Sequence, residues 1–140
     1  MKTIGIIGSR RRNTADDLKK CFDTFFDFYE DGDEIVSGGC WAGGDAFAEI
    51  IAKKAQIPIK IYYASWNTLG KSAGFKRNTN IAEDSDILIA LVAKDRTGGA
   101  EDTINKALDM KKKIVLIKFD GSIEVLNDKQ KDVDLLTDLC

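Results

Sequence analysis

The chain contains no histidine, a single proline and only three cysteines in 140 residues. Without an imidazole there is no Ser-His-Asp or Cys-His catalysis, no His-ligated zinc or haem, and no His proton shuttle. Cys21, Cys40 and Cys140 are odd in number and widely spaced, with no C-x-x-C pair. That speaks against a zinc site or a thioredoxin-like motif and suits a reducing cytoplasm, so no metal or other cofactor is expected. Long hydrophobic runs are missing too. The apolar stretch within Met1–Gly8 is too short for a signal peptide, and nothing approaches the roughly 18 apolar residues of a membrane span. The expected setting is cytoplasmic, away from membranes. Nor is there an excess of positive charge: 21 basic and 23 acidic residues give a net −2, which argues against duplex DNA as a partner.

What is present is 44% apolar and 31% charged residues with twelve glycines, enough for one ordinary globular core without staples. Strand-length apolar runs alternate with segments of helical period. Thr3–Ile7 is a β-branched run suited to a strand buried on both faces. A helix over about Thr14–Tyr29 follows, with Leu18, Cys21, Phe22, Phe25, Phe28 and Tyr29 on one stripe. Asn13 or Thr14 is placed to cap it, with Asp16 and Asp17 in its first turn. Glu34–Val36 is a short second strand, Asp45–Lys54 a helix, and Ile59–Tyr63 a third strand opened by Pro58. A loop and helix over about Trp66–Glu83, a strand at Ile87–Val92, a helix at Ala100–Met110 and a strand at Ile114–Phe119 complete the series. Such alternation predicts βαβ crossovers. The expectation is a Rossmann-like three-layer α/β sandwich with five parallel strands in the order 3-2-1-4-5. Residues 1–120 form this unit; residues 121–140 are a tail in which Leu135, Leu136 and Leu139 could form a last helix, packing on the unit or at a subunit interface.

Ligands of open parallel sheets bind beyond the carboxyl ends of the strands, and the unusual residues fall there. Gly8, Ser9 and Arg10 follow strand one. Ser37, Gly38, Gly39, Cys40, Trp41, Ala42, Gly43, Gly44 and Asp45 follow strand two. Trp66, Gly70, Lys71, Arg77 and Asn78 come after strand three, and Gly98, Gly99 and Glu101 after strand four. Glycine turns running into helices expose backbone N–H groups to an anion, so a phosphorylated, nucleotide-like ligand is the physical default. Arg10, Ser37, Gly38, Gly39, Gly43 and Gly44 would hold phosphate or ribose, Trp66 would stack on or near the base, and Arg77 and Asn78 would close the site. Lys71 is also among the ligand-binding residues, and Asp45 suits a sugar hydroxyl. The ordinary alternatives are turns for the glycines, a solvated basic patch for Arg11 and Arg12, a helix cap for Asp45, and filler for Cys40. Neither G-x-G-x-x-G nor a complete P-loop is present.

Taken in order, Gly8-Ser9-Arg10, Ser37-Gly38-Gly39-x-x-x-Gly43-x-Asp45, Trp66, Gly70-Lys71-x-Ala73-Gly74, Arg77-Asn78 and Asp86 resemble the YspA/YpsA-related branch of the SLOG superfamily. The resemblance spans about Ile4–Phe119. The superfamily is similar in fold to DNA-processing protein DprA and to the Lonely Guy phosphoribohydrolases, and several members of the branch occur in phages. The resemblance implies a site for nucleotides or nucleotide-derived ligands. The hydrolytic relatives carry P-G-G-x-G-T-x-x-E after strand four. Here the run is Thr97-Gly98-Gly99-Ala100-Glu101-Asp102-Thr103, without the proline. One alignment brings Asp102 near the catalytic glutamate; another brings Ile104 or Asn105 there. Arg77 matches an active-site arginine of the relatives.

Binding of a nucleotide-like small molecule, as sensor or sequestering protein, is therefore the leading expectation. The alternative is hydrolysis of an N-glycosidic bond in a nucleoside monophosphate, with Arg77, Glu101 and Asp102 as catalytic residues and Asp45 as a further available carboxylate. Single-stranded nucleic-acid binding comes third. A homodimer or higher homo-oligomer is expected, since a unit this small leaves its groove shallow and dimeric relatives share their sites.

Overall fold

The computed structural model describes residues 1–64, 70 and 72–128. Its elements run β1 (Thr3–Gly8), α1 (Ala15–Phe28), β2 (Glu34–Gly38), α2 (Gly44–Ala55), β3 (Ile59–Tyr62), α3 (Ser72–Asp84), β4 (Ile87–Leu91), α4 (Gly99–Asp109), β5 (Lys113–Ile117) and β6 (Ile123–Leu126). They form one sheet of order β3-β2-β1-β4-β5-β6. The first five strands are parallel and in the expected order, and β6 joins antiparallel to β5.

The sixth strand corrects the expectation of five. Residues 123–126 of the tail join the sheet as a strand, while Leu135, Leu136 and Leu139 lie outside the described residues. Asp120-Gly121 makes the turn into β6. Gly121 takes φ +86°, and the Asp120 carboxylate accepts from the Ser122 amide and hydroxyl. Ile123 and Val125 alternate with Glu124 at the strand period, but it is the two apolar residues that are the more exposed.

Local chemistry sets the helix limits. Thr14 caps α1 in a reciprocal box, its hydroxyl accepting from the Asp17 amide while the Asp17 carboxylate accepts from the Thr14 amide. α2 starts where Gly43 and Gly44 let the chain touch β1. A Cβ on Gly44 would lie 2.1 Å from the Ile7 carbonyl carbon, and one on Gly43 would lie 2.5 Å from the Ser9 carbonyl oxygen. It ends at Gln56 in the left-handed region.

Helices cover both faces. Cys21, Phe25, Phe47 and Ile51 of α1 and α2 pack on Ile4, Ile6, Ile35, Ile89 and Val115. Ile81, Ala82, Ile104 and Ala107 of α3 and α4 pack on Ile7, Val36, Leu88, Ala90 and Leu116 on the other side. β4, central and flanked by β1 and β5, is buried throughout. The amino ends of the strands are tied by side chains, which leaves the carboxyl ends as the glycine-rich edge. Asp33 accepts from the Lys2 amide and ammonium and from the Glu30 amide, and Asp86 accepts from the Thr3 amide. Among the described residues no helix is long and apolar enough to cross a membrane.

Candidate functional site at the carboxyl edge of the sheet

Strand order reverses at β1, whose chain leads to β2 on one side while β4 lies on the other. The loops after β1 and β4 therefore wall a crevice, and three consecutive arginines stand in it with three different fates. Arg12 is buried, 3% exposed, and corrects the expectation of a solvated patch. Its Nη1 donates to the carbonyls of Val92 and Ile117 at 2.9 Å each, and its Nε donates to Asp17 at 2.9 Å. It staples the ends of β4 and β5 to the start of α1. Arg11 reaches across the crevice, donating to both Asp95 oxygens at 2.9 Å and to the carbonyl and hydroxyl of Thr97 at 2.8 Å. Those hydrogen bonds, with Thr97 assisting, hold the Asp95 carboxyl well below the usual carboxylate range. Arg10 is exposed and, among the described residues, makes no hydrogen bond or ion pair. Ser9 is folded on itself: its hydroxyl accepts from the Arg11 amide, and its own amide donates to Leu91.

The loop after β2 is built around a buried acid. Ser37 and Gly38 extend β2 beyond the expected end at Val36. Ser37 is fully buried; its hydroxyl donates to the Ile6 carbonyl and lies 3.1 Å from Asp45. Asp45 is not the helix cap, a position taken by Gly43. It stands in the first turn of α2, 8% exposed, and accepts from the Cys40 amide at 3.2 Å. Burial pushes its carboxyl above the ordinary value, against the opposing pull of the Cys40 amide and of Arg77. Arg77 comes from α3 on the opposite face and ends over Gly38, where a Cβ would lie 2.8 Å from its Nη1. Gly38 is thus the gap through which a cation of one layer meets an acid of the other.

Behind Arg77 a polar chain continues. The Asn78 carbonyl oxygen accepts from Arg77 Nε at 3.1 Å, and its amide donates to Asp102 at 3.1 Å. Asp102 also takes the Lys106 ammonium at 2.9 Å. Glu101 is gripped by Arg96 through three bonds of 2.9–3.1 Å. The start of α4 is open: Gly98 holds φ +113° without a side-chain cap, and a Cβ on Gly99 would meet nothing within 4 Å. The nearest atom to a Cβ on Gly98 would be Arg11 Nη2, at 4.0 Å.

The structure brings together Gly8, Ser9, Arg10, Gly43 and Gly44 on one side of the edge, and Gly38, Asp45, Arg77 and Asn78 across it. Gly8, Gly43 and Gly44 serve the packing of α2 on β1. Trp66 and Lys71 lie outside the described residues. Sequence reading missed two aromatic side chains on this edge: Trp41 is 81% exposed and Tyr63 68% exposed. A tryptophan set among glycines was the available signal for the first; for Tyr63, taken as a strand residue, there was none.

Open grooves of about 460 Å³ beside Arg12, Lys20 and Phe119 and about 340 Å³ beside Asp86 and Lys111 have none of the candidate ligand-binding glycines in their lining. No group of three or more potential metal-ligating side chains occurs among the described residues. No protein-family model, curated protein or solved structure matches this chain.

Proposed function

We propose that the carboxyl edge of the sheet binds a nucleotide or nucleotide-derived anion in a SLOG-type site, and that the protein acts as a sensor or sequestering agent. The observation that carries this reading is Arg10: an exposed cation without a described partner, at the point where strand order reverses. Arg77 over Gly38 and the uncapped start of α4 at Gly98 and Gly99 add positive potential on either side. An anion there meets preorganised donors, and a glycine-walled edge lets it approach the backbone.

Binding is preferred to N-glycosidic hydrolysis because each carboxylate offered for that chemistry is engaged. Glu101 is clamped by Arg96, Asp102 is held by Asn78 and Lys106, and Asp45 is turned into the β2 loop. A general base needs a lone pair directed at its proton or water; both Glu101 oxygens are taken by Arg96, and Asp102 Oδ2 is shared by Asn78 and Lys106. Homodimer formation belongs to the same proposal, since the outer edge of β6 and the exposed Ile123, Val125 and Phe119 are available for a second copy.

A thermal-shift panel of nucleotides, cyclic dinucleotides and ADP-ribose derivatives tests the reading. At least one compound should raise Tm progressively with concentration, and Arg10→Ala should weaken that response while leaving the ligand-free Tm unchanged. A panel without any shift contradicts it.

A further inference from the structure

We infer that Tyr63 is the stacking platform for the base of the ligand, an assignment that rests on the nucleotide-binding reading above. Tyr63 follows β3 directly, and its ring lies against Gly39: a Cβ there would stand 2.3 Å from Cδ1 and 2.4 Å from Cε1. Any side chain at position 39 would push the ring away, so glycine is what admits it. One flank of the ring is thereby backed by main chain, while the side chain as a whole remains 68% exposed. Partial immobilisation matters, because an aromatic ring already held loses little entropy when a second ring stacks on it. An exposed aromatic with one flank supported is a ready surface for a planar heteroaromatic ring.

Position agrees with this role. Tyr63 and Arg10 flank the same loop, residues 39–43. Gly39 touches the tyrosine ring, and a Cβ on Gly43 would be 3.2 Å from the Arg10 Cα. Tyr63 follows β3 and Arg10 follows β1, two strand spacings apart, or about 10 Å. That is the scale on which a 5′-phosphate and its base are separated. Arg77, over Gly38 at the end of β2, lies between them. The order across the edge is aromatic, cation, cation, which sets a base at one end and a phosphate at the other. The ligand class is accordingly a nucleotide with its base intact, rather than a bare sugar phosphate.

Calorimetric titration of the full chain with AMP, GMP, CMP, UMP and ribose 5-phosphate tests the assignment. The preferred nucleotide should bind wild type at least about tenfold more tightly than ribose 5-phosphate, as expected for one stacked base. Tyr63→Leu should erase that advantage without altering the affinity for ribose 5-phosphate. Tyr63→Phe should preserve it, and Gly39→Ala, which displaces the ring, should behave as Tyr63→Leu does. Equal binding of nucleotide and ribose 5-phosphate to wild type would overturn the stacking role and leave the phosphate reading intact. So would a nucleotide advantage that survives Tyr63→Leu. Binding of none of the five would overturn the stacking assignment, and the nucleotide reading falls with it where the thermal-shift panel is silent as well.

Discussion

Arg10, Arg11 and Arg12 carry the same charge in adjacent positions, yet only Arg12 is part of the core. Replacing it with alanine would leave the Val92 and Ile117 carbonyls and the Asp17 carboxylate without their shared donor. Breaking a buried, charge-assisted set of this kind costs about 3 kcal/mol. Arg12→Ala should therefore lower the urea midpoint at unchanged m-value, whereas Arg10→Ala should leave the midpoint where it is. A second residue-scale prediction concerns Gly44. An added Cβ would lie 2.1 Å from the Ile7 carbonyl carbon and 2.4 Å from the Gly8 amide nitrogen. Backbone cannot rotate aside as a side chain does, so Gly44→Ala should cost about 3 kcal/mol or more, read from the same denaturation curves. At this scale the sequence was least informative. An arginine run announces charge, but whether each side chain turns into the core or out depends on the path of the β1 loop.

At the scale of elements, periodicity did most of the work. The α1 stripe and the five parallel strands were legible because a buried helix face and a doubly buried strand impose their own spacing on the apolar residues; the cap was narrowed only to Asn13 or Thr14. β6 escaped because four residues beside a turn carry a weak period-two signal, and its assignment depends on β5 lying opposite. The amino-end tie between β1 and the β2 approach gives a pH prediction. Burial alone would raise the Asp33 carboxyl, but the hydrogen bonds from the Lys2 ammonium and from the Lys2 and Glu30 amides outweigh it and set it below its ordinary value of 3.8. A depressed carboxylate stabilises the fold above the unfolded-state value and loses that contribution as the folded group protonates on acidification. Wild type should thus exceed Asp33→Asn in stability at neutral pH, and the gap should close as pH falls below about 4. A gap independent of pH would show that the Asp33 charge is not what ties the strands.

For the molecule as a whole, the amino ends of the strands are stitched and the carboxyl ends carry glycines, a cation without a partner among the described residues, and exposed aromatics. The sequence placed the glycine loops on that edge because parallel topology does so automatically. It did not reveal which residues face outward: Ser37 and Asp45 turned inward, while Trp41 and Tyr63 turned out. The dimer proposal belongs here as well, and light scattering should return twice the 15.5 kDa chain mass. The claim that matters most is where the ligand binds, and amide NMR during titration with the best-shifting nucleotide reads it directly. The largest perturbations should fall within residues 8–13, 37–45 and 97–101 and at Tyr63 and Arg77, all at the carboxyl edge. Perturbations centred instead on residues 110–113 and 127, at the amino edge, or on residues 16–20 and 119–121 beside α1, would contradict the account.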